Sequence, residues 1–147
     1  MSTDTHVAAV QDFFATLTRR SVGNVRNVYA TDAHFKDPFN DVRGVERIER
    51  IFAHMFDQVD APRFVIIDTL VDGDQALLTW LFHFRRHGSS AEMTIRGATH
   101  LRFDAAGRIA MHRDYWDAAE ELYEKLPLLG GLMRFLKRRA ASCKPPR

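Results

Sequence analysis

The sequence predicts an α+β protein in which helices come first and a curved antiparallel sheet follows. Two observations carry this expectation. Apolar residues recur at helical spacing as far as Val59, and from Arg63 to Asp117 they alternate along runs separated by Gly-containing turns. Strands with no helix between them pair as an antiparallel meander rather than as βαβ units. Three helices ahead of such a sheet predict a cone: a curved antiparallel (mixed) sheet wrapped around the N-terminal helices, open at one end. Small-molecule pockets are usually concave, mostly apolar sites of this kind.

Each element has its own signal. Thr3 to Thr5 offer polar caps ahead of Val7, Val10, Phe13, Phe14 and Leu17, which predicts a helix to about Arg20. Ser21 caps a second, short helix presenting Val22, Val25, Val28 and Tyr29. Residues 34–39 are extended, since a residue before proline avoids the helical region. Gly44 opens the third and longest helix, with Val45, Ile48, Ile51, Phe52 and Met55 on one face. Strands are expected over residues 63–73, 75–88, 91–104 and 108–117, with turns at Asp72–Asp74 and Ala105–Gly107. A helix over 118–126, an interruption at Pro127 and a last helix over 128–140 close the chain. One domain is expected over 1–117, with 118–140 as its helical extension and 141–147 as a disordered basic tail.

Composition narrows the function classes. A chain of 147 residues, 46% hydrophobic and 27% charged, can bury a proper core. The single cysteine, Cys143, excludes an intramolecular disulfide and a Cys-based zinc site. The N-terminus is acidic and polar where a signal peptide is basic and then apolar, and no apolar run approaches the roughly 18 residues of a membrane span. A cytoplasmic protein is expected from these absences. The net charge of +2 hides an asymmetry: residues 134–147 hold six basic residues and no acidic ones, and the rest holds 15 basic against 19 acidic. The pI near 8.9 thus belongs to the tail, and nucleic-acid binding by the domain is not expected.

Three stretches, "FFATL" at 13–17, "VYATDAHFKDPFNDVRGVERI" at 28–48 and "HLRFDAAGRIAMHRDYWD" at 100–117, together resemble the nuclear transport factor 2-like superfamily. Within it the chain is similar to the ketosteroid isomerase and SnoaL-like polyketide cyclase branch. The resemblance rests on the order and spacing of the Asp-Pro-Phe after the first strand, the Gly before the third helix and the last hairpin. Ketosteroid isomerases move a proton with an Asp base while a Tyr and a protonated Asp hold the enolate oxygen. The resemblance carries the base onto Asp37, but puts Phe13 at the Tyr position and Thr99 at the protonated Asp position. Phe cannot donate a hydrogen bond, and Thr donates only a neutral one. Loss of one such donor costs roughly 2.7–4 kcal/mol of transition-state stabilisation. A standard ketosteroid isomerase is therefore not expected.

The candidate site residues follow. Asp37, between Phe35 and Phe39, reads either as a pocket carboxylate acting as general base or as a turn Asp bonded to its own loop. Strand alternation puts His112, Asp114 and Trp116 on one face, which the resemblance makes the pocket face. His112 and Asp114 suit a hydrogen-bonded acid/base pair; a buried polar pair, or an Asp114 that reaches Arg96, is the structural alternative. A metal reading lacks a third ligand at suitable spacing, so neither metal nor organic cofactor is expected. Trp80, Phe82 and Phe84 form a stripe that serves core, pocket or both. With Phe13, Tyr29, Phe35, Phe39, Met55 and Thr99, the stripe residues Trp80 and Phe82 and the strand-end Trp116 complete the expected ligand wall.

The leading reading is a protein that binds a small hydrophobic molecule and acts as isomerase, cyclase or hydratase through Asp37, His112 and Asp114. The alternatives are a non-catalytic carrier or sensor, and a protein-interaction module like nuclear transport factor 2 itself. A homodimer through the outer sheet face, near Leu81, His83, Arg113 and Tyr115, is implied by the resemblance. The last helix is amphipathic, with Leu129, Leu132, Met133, Phe135 and Leu136 beside Lys137, Arg138 and Arg139. It reads as a closing helix over the pocket or a second subunit, with membrane-surface contact as the runner-up.

Overall fold

The computed structural model describes residues 2–122 and 127–141, apart from the side chains of 127–129 and 133. The tail expected over 141–147 lies, from residue 142 on, outside the described residues. The chain divides into two compact units, Met1–Tyr115 and Trp116–Arg147.

In the first unit, α1 (Thr3–Ala15) buries Val7, Val10, Phe13 and Phe14. It ends before Arg20 because the polar residues that follow take over its backbone bonds. The Thr16 hydroxyl donates back to the Asp12 carbonyl at 2.6 Å, and the Thr18 N–H donates to Ser21 Oγ at 2.8 Å. The expected second helix is a 3-10 turn, Val22–Asn24, followed by a single α-turn, α2 (Val25–Val28). Tyr29, expected within that helix, instead begins β1 (Tyr29–Lys36), and a short β2 (Asp41–Arg43) returns along it. Gly44 makes the turn into α3 (Val45–Gln58) at φ +101°, a conformation that strains any residue with a Cβ. The α3 face holds Val45, Ile48 and Phe52 buried.

Four long strands follow: β3 (Asp60–Asp72), β4 (Gln75–Arg85), β5 (Glu92–Phe103) and β6 (Ile109–Tyr115). They pair in sequence as an antiparallel meander, and β1 adds alongside β6 in parallel. The result is one open, curved, mixed sheet of six strands in the order β2-β1-β6-β5-β4-β3, with α1 and α3 against it. Register decides which side chains meet on the helix side. Leu78 lies opposite Thr99 and Thr99 opposite Asp114; Leu101 and Phe35 flank His112; Trp80 lies opposite Gly97. Elsewhere on the strands, Val65, Leu70, Leu77 and Tyr115 are exposed, with the Arg113 guanidinium 4.9 Å from the Tyr115 ring centre.

The second unit contains α4 (Ala118–Glu121) and α5 (Pro127–Ala140). Asp117 caps α4, its carboxylate accepting from the N–H groups of Ala119 and Glu120 at 3.0 and 3.1 Å. Among the described residues, no helix is long and apolar enough to cross a membrane.

Candidate functional site

Two polar side chains are buried in the core among the described residues, Thr99 and His112, each 3% exposed. Both belong to one hydrogen-bonded chain. Trp80 Nε1–H donates to Thr99 Oγ1 at 2.8 Å, which leaves the Thr99 hydroxyl free to donate to Asp114 Oδ1 at 2.5 Å. His112 Nε2 meets the same oxygen at 2.7 Å, and Tyr29 Oη lies 2.8 Å from His112 Nδ1. These contacts assign the tautomer: His112 donates from Nε2 to the carboxylate, and its Nδ1 lone pair accepts from the Tyr29 phenol. Every donor in the chain thus points toward Asp114.

Sequence and register explain the assembly. On a strand, the Asp114 backbone is committed to the ladder, so its carboxylate finds donors across the pair, at Thr99, and two residues back on its own face, at His112. Trp80 reaches Thr99 diagonally because its ring lies over Gly97; a Cβ at Gly97 would fall 2.4 Å from Trp80 Cη2. Aromatic rings enclose the imidazole. Phe35 lies 4.5 Å from it between centres, Tyr29 stacks at 5.9 Å, and Phe14 approaches edge-on at 6.0 Å. Burial, and secondarily the negative field of Asp114, push the Tyr29 phenol well above its usual range, so it stays protonated.

Beside this chain lies a cavity of ≈ 30 Å³, lined by Phe14, Phe52, Phe64, Ile66, Leu78 and Trp80, with Thr99, His112 and Asp114 as its polar end. That is room for a water molecule or two. No hydrogen-bond partner engages Asp114 Oδ2 among the described residues. No group of three possible metal ligands occurs among the described residues, so His112 and Asp114 have no third side chain to complete a metal site.

The expected site residues separate into three sets. Thr99, His112, Asp114 and Trp80 line the cavity, with Tyr29 and Phe35 directly behind His112. Phe13, Phe82 and Met55 are close in the fold but not in the lining: Phe13 packs on Phe14 and Phe52, Phe82 stacks between Phe64 and Phe84, and Met55 is half-buried on α3. Asp37 and Phe39 are placed elsewhere in the first unit, and Trp116 belongs to the second. The Asp37 carboxylate accepts from the N–H groups of Phe39 (2.8 Å) and Asn40 (2.6 Å) and from Asn40 Nδ2 (3.1 Å), which is the turn arrangement. Phe39 is 56% exposed, so the expected wall of phenylalanines around Asp37 does not form. β6 stops at Tyr115, which puts Trp116 in the second unit. Arg96 is exposed on the opposite face of β5 from Thr99, which removes it as a partner of Asp114.

Sequence reasoning passed over Phe14, Phe52, Phe64, Ile66 and Leu78 as lining residues. The alternation of Phe64 and Ile66 on β3 could have found two of them. Phe14 could be told from Phe13 only through the exact rotation of α1.

An open, curved, six-stranded mixed sheet with α1 and α3 against it defines the cone-fold class of small α+β proteins. The profile of the SnoaL-like domain matches residues 10–112, and the chain belongs to that family. Solved structures agree on the fold. An LEH-like epoxide hydrolase from M. tuberculosis superposes with a TM-score of 0.66 at 20% identity, covering 92% of this chain and 94% of that one. A proposed SnoaL-like polyketide cyclase from Jannaschia sp. CCS1 gives 0.69 at 14% identity, with coverage of 80% and 87%. A protein of ketosteroid isomerase-like fold from Catenulispora acidiphila, solved with trimethylamine, gives 0.67 at 18%, with coverage of 80% and 88%. No curated protein matches the sequence.

Proposed function

We propose that the cavity seats the water of an acid/base site that adds it to a small hydrophobic electrophile, an epoxide or a carbonyl compound, for which the enclosing side chains must give way. The observation that carries this reading is the convergence of Thr99 and His112 on one oxygen of Asp114 at the polar end of an apolar cavity large enough for water. In this reading Asp114 takes a proton from water as the water oxygen bonds to the electrophilic carbon. The same carboxyl then returns the proton to the oxygen released by the substrate, so that an epoxide and water give a diol. His112 and Thr99 hold the carboxylate in place through both steps. One structural neighbour is described as an epoxide hydrolase and another as a proposed SnoaL-like polyketide cyclase, so the choice of water addition rests on the cavity and its carboxylate. A second copy covering the exposed apolar residues of the strands, Tyr115 among them, would complete the protein as a homodimer.

The test is a panel of apolar epoxides and enones in ¹⁸O-labelled water, with Asp114→Asn as the control. Label in the product that disappears in the variant supports the reading; product formation unchanged in Asp114→Asn overturns it. One observation favours binding without turnover: six of the nine residues that line the cavity are apolar. That reading expects tight ligand binding and no product from either protein.

A further inference from the structure

We propose that α5 is an interfacial anchor that lies on an anionic lipid surface. Leu132, Phe135 and Leu136 fall three and four residues apart, one stripe along a helix, and are 53, 47 and 49% exposed. Exposed apolar residues gathered in a line mark an interaction surface. The rest of the helix identifies the partner. Arg134, Lys137, Arg138 and Arg139 flank the stripe, and no acidic residue occurs anywhere after Glu124. The Arg139 guanidinium sits 5.5 Å from the centre of the Phe135 ring, which places a cation directly beside the apolar stripe. Lys137 Nζ pairs with Glu120 at 3.7 Å, which ties α5 to α4 within the same unit.

Charge decides between the possible occupants. A second copy docked symmetrically through this stripe would bring two sets of these cations together, a like-charge arrangement that opposes association. An anionic bilayer offers the stripe an apolar layer and the Arg138 and Arg139 cations counter-charges at the same depth. The helix has 14 residues and is roughly 21 Å long, too short to span hydrocarbon about 30 Å thick. It would lie in the interface plane.

The test is co-flotation of the full chain with vesicles of phosphatidylcholine alone or with about 30% phosphatidylglycerol, at low and high salt. Binding is expected on the anionic vesicles and should fall at least about fivefold on pure phosphatidylcholine or in about 0.5 M salt. The double variant Arg138→Glu/Arg139→Glu should lose about tenfold or more, and Phe135→Ser/Leu136→Ser about fivefold. Absence of flotation overturns the proposal. So does binding that ignores Phe135→Ser/Leu136→Ser, because the basic residues alone would then explain it. Light scattering on that variant gives the other outcome: a halved mass without vesicle binding assigns the stripe to a second copy and also overturns the proposal. The circular dichroism melt of each variant identifies any loss caused by misfolding of the body, and a variant that misfolds is replaced by Phe135→Ala/Leu136→Ala.

Discussion

Asp37 and Asp114 stand at the same end of the parallel pair β1 and β6, one residue beyond the facing residues Lys36 and Arg113. Their surroundings nevertheless differ in kind. Pro38 ends β1, and the released backbone of the turn supplies Asp37 with the N–H groups of Phe39 and Asn40. On β6 the strand runs through Asp114, its backbone is taken by the ladder, and the carboxylate turns inward to side-chain donors. A carboxylate that meets free backbone N–H groups becomes part of a turn. One denied them recruits Thr and His from neighbouring strands, and in this fold that also places it on a cavity.

The comparison breaks most sharply on turnover. If Asp114 is the general base of the proposed water addition, Asp114→Asn should lower its rate by about 10²–10⁴-fold, while Asp37→Asn should leave it within about threefold. Steady-state rates of the two variants on one substrate decide this, and the reverse ranking would return the base to Asp37. Stability should show the opposite sensitivity. Asp37→Ala removes the acceptor of two backbone bonds and should cost about 1–2 kcal/mol in urea unfolding, although Asp37 is not among the residues that line the cavity.

Gly97→Ala tests the interior half of the comparison without touching a charge. Its Cβ would collide with the Trp80 indole, which cannot stay over the strand and keep its bond to Thr99. Overpacking of this kind costs about 1–3 kcal/mol. The same substitution should lower activity, since Thr99 would no longer be oriented toward Asp114. A stable, fully active Gly97→Ala protein would show that the indole does not position the cluster.

Tyr29 makes a pH prediction of definite sign. Its phenol ionises at higher pH in the folded chain than in the unfolded one, chiefly because it is buried. The folded state therefore holds the proton longer, and stability is complete below about pH 10 and declines as pH rises beyond it. Tyr29→Phe should flatten that decline, while costing about 1 kcal/mol at neutral pH for the partner it takes from His112. Urea unfolding between pH 8 and about pH 11 measures both effects.

Much of this was legible in the chain. Helical spacing and alternation located α1, α3 and the four meander strands, and alternation alone put His112 and Asp114 on one face. What the sequence could not reveal depended on competition between local bonds. Thr16, Thr18 and Ser21 end α1 through hydroxyl–backbone bonds that apolar spacing does not register. Asp37 allowed two readings because its choice depends on donors exposed only when the turn has formed. Tyr29 appeared to close a helix, yet its hydroxyl sits behind His112, 83 residues away. The link from Trp80 through Thr99 required the register of β4 on β5, which no spacing along one strand can supply.

The smallest effect belongs at the exposed periphery, where a histidine provides the counterpart to His112. His87 lies 2.7 Å from both the Asp57 carbonyl and Asp60 Oδ1, and these hydrogen bonds, the carbonyl first, raise its pKa. The protonated ring is thus favoured in the folded state. Its contribution is fully present below about pH 6.5 and is lost as pH rises through the higher folded value. Because the ring is open to solvent, salt screens the effect, and His87→Ala should change the urea midpoint only slightly and only on the acid side. His112 should behave differently, since its ring is enclosed by Phe14, Phe35 and Tyr29 and held at both nitrogens. His112→Ala should destabilise by about 1–3 kcal/mol at neutral pH, the cost of leaving buried partners unpaired. A pH-independent His87→Ala, or a His112→Ala no more costly than His87→Ala, would reverse the assignment of the two rings.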